Sequence, residues 1–238
     1  MARESLYLND ADAARVSQSD NQLAQAQNAR AGVPLVLPDN ADLILQGYDY
    51  SLANWSNGRV MQQKALLDLR LARYYFTFTD IEVRQKAMAH LGAAQLGLTN
   101  SLKVEPLNQF AWANLSYLFT WTPGPSYGAA LALERSWRSG QSDKLLWPLR
   151  VELGWRNYRY LSDDGKARMA REVEAVWDQF VVKEFTYTRR REALIAIAEQ
   201  YGDLKVMRDM ISETKEDRAM FNAIVTRRAQ KRRRGQIQ

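Results

Sequence analysis

Apolar side chains recur three and four positions apart from Ala41 almost to the C-terminus, and this period constrains the fold more than any other feature. All six prolines lie at or before Pro148, so no proline interrupts a helix in the C-terminal third. No turn dipeptide stands between two alternating apolar and polar runs, as it would in a β-hairpin. The pattern predicts an all-α protein of about nine or ten helices joined by short polar turns.

The first of these helices is predicted to begin after Asp39 or Asn40 and to stop at Asn57 and Gly58. The segment YYFTFT, residues 74–79, is rich in aromatic and β-branched side chains, so a short strand is the alternative there. Further along the chain, helices are expected over residues 107–121, 126–139, 148–161, 164–182, 189–201 and 204–230.

Three segments differ in composition. Residues 1–40 are a polar arm and a proline-containing connector, residues 41–226 are the helical domain, and residues 227–238 are a basic tail. The 238 residues include no cysteine, which excludes disulfides and thiolate chemistry. No apolar run reaches the roughly 18 residues of a membrane-spanning helix, and the N-terminus has no signal-peptide pattern. The chain as given is therefore expected to be soluble, in a compartment that composition does not identify.

Positive charge is concentrated at the C-terminal end. Its six cations equal the whole net charge of +6, so the rest of the chain is electrically balanced. Such a tail attracts nucleic acid, an anionic membrane or an acidic patch on a partner, and many such tails are only solvated ends. The residues are Arg227, Arg228, Lys231, Arg232, Arg233 and Arg234.

Residues 87–140 resemble a tetratricopeptide repeat, in which small and bulky residues alternate along paired helices. Ala94, Leu98, Ser101 and Pro106 match the end of one unit. Trp112, Leu115, Ser116 and Phe119, followed by Ala129, Leu133 and Ser136, match the next. The resemblance implies a solenoid of antiparallel helix pairs. Small side chains at Ser116 and Ala129 would let two of these helices cross closely.

A second resemblance extends over roughly residues 90–180. The lead-in SLKVEP, the aromatic helix after it, and Arg150, Glu152, Leu153 and Gly154 in the pattern RxELG are similar to helical-repeat proteins found with bacterial exopolysaccharide machinery. The resemblance implies a non-catalytic accessory role in envelope polysaccharide production. It also implies the inner membrane or periplasm as the compartment, if a targeting segment was removed.

An aromatic surface is predicted on the helix over residues 107–121. In the tetratricopeptide pattern its off-core positions point into a concave groove, where aromatic faces can hold an apolar peptide anchor or a sugar ring. The alternative is that these side chains belong to the core or its rim. The candidate groove residues are Phe110, Ala113, Tyr117, Thr120 and Trp121.

The residues needed for catalysis are sparse. His90 is the only histidine, so zinc sites and histidine-based triads lack their parts. Glu172 and Glu174 do not share a helix face, and no glycine-rich phosphate loop occurs. We therefore expect a protein without catalytic residues, metal or cofactor that binds other proteins as a scaffold or accessory subunit. The alternatives are a structural subunit of a large complex, and a protein that binds RNA or an anionic membrane through its tail.

Overall fold

The structure is a computed structural model that describes residues 41–54, 57–140, 143, 145–178, 184–201, 203–211 and 214–235. The predicted N-terminal arm lies outside these residues. All regular structure in the described part of the chain is helical, which confirms the all-α prediction. The helices are α1 (Ala41–Asn54), α2 (Gly58–Tyr75), α3 (Ile81–Val104), α4 (Gln109–Trp121), α5 (Tyr127–Ser139), α6 (Trp147–Arg156), α7 (Asp163–Asp178), α8 (Glu184–Tyr201), α9 (Leu204–Met210) and α10 (Lys215–Arg233), with a 3₁₀ turn at Tyr158–Tyr160.

Polar side chains determine where most of these helices begin. An Asn, Asp, Ser or Thr before the helix accepts a hydrogen bond from a backbone N–H of the first turn, which would otherwise lack an acceptor. Pro148 lies in the first turn of α6, where the missing N–H of proline costs nothing. The capping residues are Asn57 for α2, Asp80 for α3, Asn108 for α4, Ser126 for α5, Asp203 for α9 and Thr214 for α10.

The chain forms two compact units, Met1–Pro106 and Leu107–Gln238. The sequence predicts one helical domain over residues 41–226, and the structure divides that range at Pro106. Helix α3 ends just before this proline, which cannot donate the backbone hydrogen bond that a continuing helix needs.

In the N-terminal unit, α2 and α3 form an antiparallel pair. Gly97 of α3 lies against Ala65 of α2, and the ring of His90 stacks on Tyr75 near the other end, with the ring centroids 5.6 Å apart. A β-carbon added at Gly97 would lie only 2.9 Å from the β-carbon of Ala65, so glycine permits this close crossing. Helix α1 packs on α2 through Tyr48, which joins Leu67 and Leu71 in a small core.

In the C-terminal unit, side chains of α5 to α10 share one core. Its largest fully buried side chain is that of Trp177, whose ring lies 6.1 Å from the ring of Phe221 on α10. Gly154 of α6 lies so close to α7 that an added β-carbon would be 2.7 Å from the sulfur of Met169. Burial of apolar surface by these contacts is the main stabilising contribution in this unit.

The structure excludes one alternative for the secondary structure and corrects one expectation. The alternative of a strand over residues 74–79 fails because α2 continues to Tyr75 and a turn follows. The single helix expected over residues 204–230 is two helices, because Thr214 starts a new one. Its hydroxyl accepts a hydrogen bond from the backbone N–H of Asp217 at 3.1 Å and lies 2.5 Å from the carboxylate of the same residue. The spacing T-x-x-D is a helix-start signal in the sequence.

Candidate functional site

Helices α4 and α5 cross at two small residues, as the sequence predicts. The Ser116 hydroxyl donates a hydrogen bond to the backbone oxygen of Ala129 at 2.8 Å, and both residues are fully buried. Near the start of α4, Ser136 of α5 donates to the backbone oxygen of Gln109 at 2.7 Å. The start of α4 therefore meets the end of α5, so this pair is antiparallel.

The structure corrects two of the five predicted groove residues. Ala113 and Thr120 are 0% and 1% exposed, so no partner can touch them. Thr120 donates to the backbone oxygen of Ser116 and accepts a hydrogen bond from Asn157, both at 2.8 Å. The tetratricopeptide pattern assigned these positions to a concave surface, but in this unit the 3₁₀ region after α6 supplies a polar partner to Thr120.

The three aromatic groove residues are half-buried. Phe110, Tyr117 and Trp121 each keep part of their surface accessible, and Tyr117 also packs against the core of the C-terminal unit. Trp112, expected on the packing face, is half-buried as well, with the Arg135 guanidinium 5.1 Å from its ring centroid. A surface of aromatic edges therefore exists on α4, but it is smaller than the predicted groove.

A network of buried polar side chains joins α4, α5, α6 and α7. Arg150 of α6 is fully buried, and its guanidinium contacts the Glu172 carboxylate at 3.3 Å. It also donates to the Ser136 hydroxyl at 3.0 Å, the Ser136 backbone oxygen at 2.7 Å and the Gln109 amide oxygen at 2.9 Å. The indole of Trp137 donates to the other oxygen of Glu172 at 2.5 Å.

Burial dominates the electrostatics of this network. It raises the pKa of Glu172, while the hydrogen bond from Trp137 and the charge of Arg150 act in the opposite direction. Burial also lowers the pKa of Arg150. Because every polar group of the pair has a hydrogen-bonding partner, the network positions four helices and leaves no free group for chemistry. The sequence did not reveal this role of Arg150 and Glu172, although Glu174 is exposed, as their different faces predict.

The one histidine belongs to a smaller cluster in the N-terminal unit. His90 Nδ1 lies 2.8 Å from Asp68 Oδ1, and Lys64 lies 4.0 Å from the other carboxylate oxygen. Burial raises the pKa of Asp68, and the hydrogen bond with His90 and the charge of Lys64 oppose that shift. Asp68 and Tyr75 therefore hold the imidazole in place on α3. This arrangement agrees with a packing role for His90.

The outer face of α3 between Ala87 and Leu102 is exposed and carries no charged residue. Met88 and Leu96 are 55% and 61% exposed, and Gly92 between them has open space in front of it. No Asp, Glu, Lys or Arg occurs from Ala87 to Leu102. Helices on a protein surface normally present charged residues to water, and this stretch of α3 presents none. Hydrophobic periodicity did not reveal it, because α3 has apolar residues on both sides.

The basic residues that were predicted to form a tail continue helix α10. Arg228 donates to the Glu199 carboxylate of α8 at 2.9 Å, and Arg232 contacts the same carboxylate. Arg227 lies 3.7 Å from Glu192. A shallow cavity of about 440 Å³ lies beside these contacts and is lined by Leu204, Val225, Ala229, Glu199 and Arg232. The basic segment is therefore held on α8 by acidic residues as far as Arg232.

No group of three or more histidine and acidic side chains among the described residues could hold a metal ion. No helix in the part of the chain described here is long and apolar enough to cross a membrane.

The chain matches no family model, and no curated protein or solved structure was found to be similar to it.

Proposed function

We propose that this protein works without catalysis, as a subunit that binds another protein, and that the uncharged outer face of α3 is the docking surface. The observation that carries this proposal is the exposure of Met88 and Leu96 on a stretch of helix without charged residues. Each of these side chains, once covered, would contribute roughly 1–2 kcal/mol to binding.

The occupant that fits this surface is an apolar helix of the partner. Gly92 lies midway between Met88 and Leu96 and has no side chain, so another helix can approach the backbone there, with the two large residues on either side. The uncharged face of α3 favours an uncharged face on the partner helix. A carboxylate or ammonium group of the partner would lose its hydration there without gaining a counter-charge.

The half-exposed aromatic residues Phe110, Tyr117 and Trp121 on α4 are a second, smaller contact surface within this proposal. Tetratricopeptide-like stacking beyond the α4–α5 crossing, and a role in bacterial envelope polysaccharide production, rest on the sequence resemblances alone. They are separate parts of the proposal, because the α3 surface would serve any protein assembly.

The proposal is tested by cross-linking and co-purification from the native source, followed by reconstitution with the purified partner. Met88→Glu with Leu96→Glu adds two negative charges to the face, and we expect binding to weaken at least tenfold, about 1.4 kcal/mol. Arg59→Gln with Lys86→Gln is the matched control, because it changes the net charge by the same amount at exposed positions of the same unit. This control should change the affinity less than about twofold, or about 0.4 kcal/mol.

Two results would contradict the proposal. One is equal weakening by both variants, which would mean that net charge and not the apolar face controls binding. The other is a hydrolysis or transfer activity that copurifies with the homogeneous protein through successive columns.

A further inference from the structure

The C-terminal end of α10 carries more positive charge than the fold neutralises. The helix extends to Arg233, and the backbone N–H of Arg234 still donates to the Gln230 oxygen at 3.2 Å. Six basic residues therefore lie on little more than two helical turns, a rise of about 10 Å. Such a density of like charge repels itself unless something compensates for it.

The structure compensates for part of this charge through α8. The Glu199 side chain is only 8% exposed and holds both Arg228 and Arg232, while Glu192 faces Arg227. Two carboxylates thus compensate for only two of the six positive charges, which leaves an excess of four. The two arginines that Glu199 holds have a structural role, because they fix α10 against α8.

The remaining cations are free to act on a ligand. Lys231, Arg233 and Arg234 form no ion pair with any residue in the described ranges, and both arginines are exposed. Lys231 follows Arg227 by four positions, so the two lie on the same side of the helix. Arg227 is itself 54% exposed and lies 3.7 Å from its carboxylate, so it can turn to a stronger anion.

We propose that this surface, formed by Arg227, Lys231, Arg233 and Arg234, binds the phosphodiester backbone of nucleic acid without reading its bases. Guanidinium groups form bidentate hydrogen bonds with phosphate oxygens, and three of the four residues are arginine. The neighbouring exposed residues of the segment, Ala229 and Gln230, offer no aromatic face for stacking on a base. Recognition is therefore electrostatic and independent of sequence. This binding of nucleic acid does not depend on the α3 surface.

A membrane surface fits this helix less well. Peripheral helices bind lipid by inserting an apolar face beside their cations. In α10, that face is already used, because Phe221 and Ile224 are 4% and 1% exposed in the core of the C-terminal unit. The large exposed apolar residue of α10 is Met220, near the other end of the helix. Only charge would attract the basic end to lipid.

The experiment measures binding of the full chain to a labelled, mixed-sequence single-stranded RNA by fluorescence anisotropy as a function of salt. Lys231→Gln, Arg233→Gln and Arg234→Gln together should weaken binding about tenfold and lower the slope of log K against log salt by about two. The matched control removes three exposed cations elsewhere in the same unit, by Lys205→Gln, Lys215→Gln and Arg218→Gln. The control should keep nearly the whole slope.

Parallel measurements use phosphatidylserine vesicles and polyglutamate as alternative anions. The wild-type protein alone can overturn the proposal, if its binding to RNA is absent or if the slope of log K against log salt is near zero. The proposal is also overturned if both triple variants weaken binding equally, or if vesicles or polyglutamate bind more tightly than RNA at the same salt concentration. Loss of RNA binding in the first triple variant alone supports it. This outcome is independent of the Met88 and Leu96 variants.

Discussion

Each unit contains a buried carboxylate, but the two are compensated differently. In the C-terminal unit, Glu172 is held by Arg150 and Trp137, and both charged groups of the pair are almost fully removed from water. In the N-terminal unit, the Asp68 side chain is 5% exposed, but its partners His90 and Lys64 are 24% and 26% exposed. Burial raises the pKa of both carboxylic acids.

The difference shows how each unit uses an ionisable residue. Around Glu172, four helices are connected through directional hydrogen bonds, and removing one partner leaves a charge that water cannot reach. Around Asp68, the contacts are fewer: His90 of α3 bonds to it, and Lys64 of α2 also pairs with Asp49 of α1 at 3.1 Å. Solvent can reach these partners after a mutation. The two units should therefore differ in their response to equivalent changes.

The largest effect is expected for Glu172→Ala. It leaves the buried guanidinium of Arg150 without its counter-charge, so the free energy of unfolding of the C-terminal unit should fall by about 3–5 kcal/mol. Urea unfolding followed by tryptophan fluorescence measures this, because six of the seven tryptophans lie after Leu107. Glu174→Ala, on the exposed side of the same helix, is the control and should change stability by less than about 0.5 kcal/mol.

A double variant sharpens this prediction. Arg150→Met added to Glu172→Ala removes both charges, and the protein should regain part of the lost stability. If the double variant is less stable than Glu172→Ala alone, hydrogen bonds from Arg150 to Ser136 and Gln109 stabilise the unit more than the unpaired charge destabilises it.

The next effect concerns the close helix crossing in the N-terminal unit. Gly97→Ala should destabilise that unit by about 1–3 kcal/mol, because the new β-carbon collides with Ala65. Gly92→Ala on the same helix has open space in front of it and should stabilise by about 0.5–1 kcal/mol through helix propensity. Hydrogen exchange of the α3 amides measures both. Equal effects of the two substitutions would show that the crossing at Gly97 is not tight.

Asp68→Asn should have a smaller effect, which depends on pH. The folded-state pKa of Asp68 is raised, so the contribution of its carboxyl group is fully present below about pH 4, the unfolded pKa. That contribution is lost as the pH rises through the folded-state pKa. Asp68→Asn should therefore lower the free energy of unfolding by about 1 kcal/mol at low pH, where it removes this contribution. At neutral pH the contribution is already lost, so the effect should be smaller. Hydrogen exchange, measured at low pH and at neutral pH, tests the direction of this pH dependence.

The smallest effect, of opposite sign, is expected at the exposed Asp164. A hydrogen bond from Arg168, and then one from Arg138, lowers the pKa of this carboxyl group. Its contribution to stability is therefore present above the unfolded pKa and is lost as the pH falls through the lower folded pKa. Asp164→Asn should flatten the acid limb of the stability curve at low salt and have little effect at high salt. Flattening that persists at high salt would contradict a solvent-exposed pair.

Periodicity and capping residues predicted most of the secondary structure. Ser126 marks a helix boundary directly in the sequence, and the small residues Ser116 and Ala129 predicted a close crossing that the structure contains. Asn57 and Gly58 were predicted to end the first helix, but in the structure Asn57 caps the start of α2. The split between α9 and α10 was missed because the periodic apolar pattern continues across it. The capping signal at Thr214 was present in the sequence, but it was outweighed by this continuity.

The candidate surfaces were predicted less well. Thr120 and Ala113 were assigned to a groove because a repeat pattern gives each position a face of the helix. Whether that face is accessible to solvent depends on which element packs against it, and the repeat pattern does not specify this element. The six cations were predicted to belong to a basic tail, and in the structure Arg227 to Arg233 continue helix α10. Their division into structural and free residues depends on Glu192 and Glu199, which lie about 30 residues earlier and become neighbours only after α8 and α10 pack.

The amino-acid sequence by itself determined that the described part of the chain is helical, where most of its helices start, and where the positive charge lies, because these properties depend on residues within a few positions of one another. Only the tertiary structure decided that Arg150 and Glu172 form a buried pair, that one face of α3 stays uncovered, and that Arg228 and Arg232 are held by one carboxylate. Each of these depends on contacts between residues that are distant in the chain. Burial and electrostatic compensation are properties of those contacts and not of the local sequence.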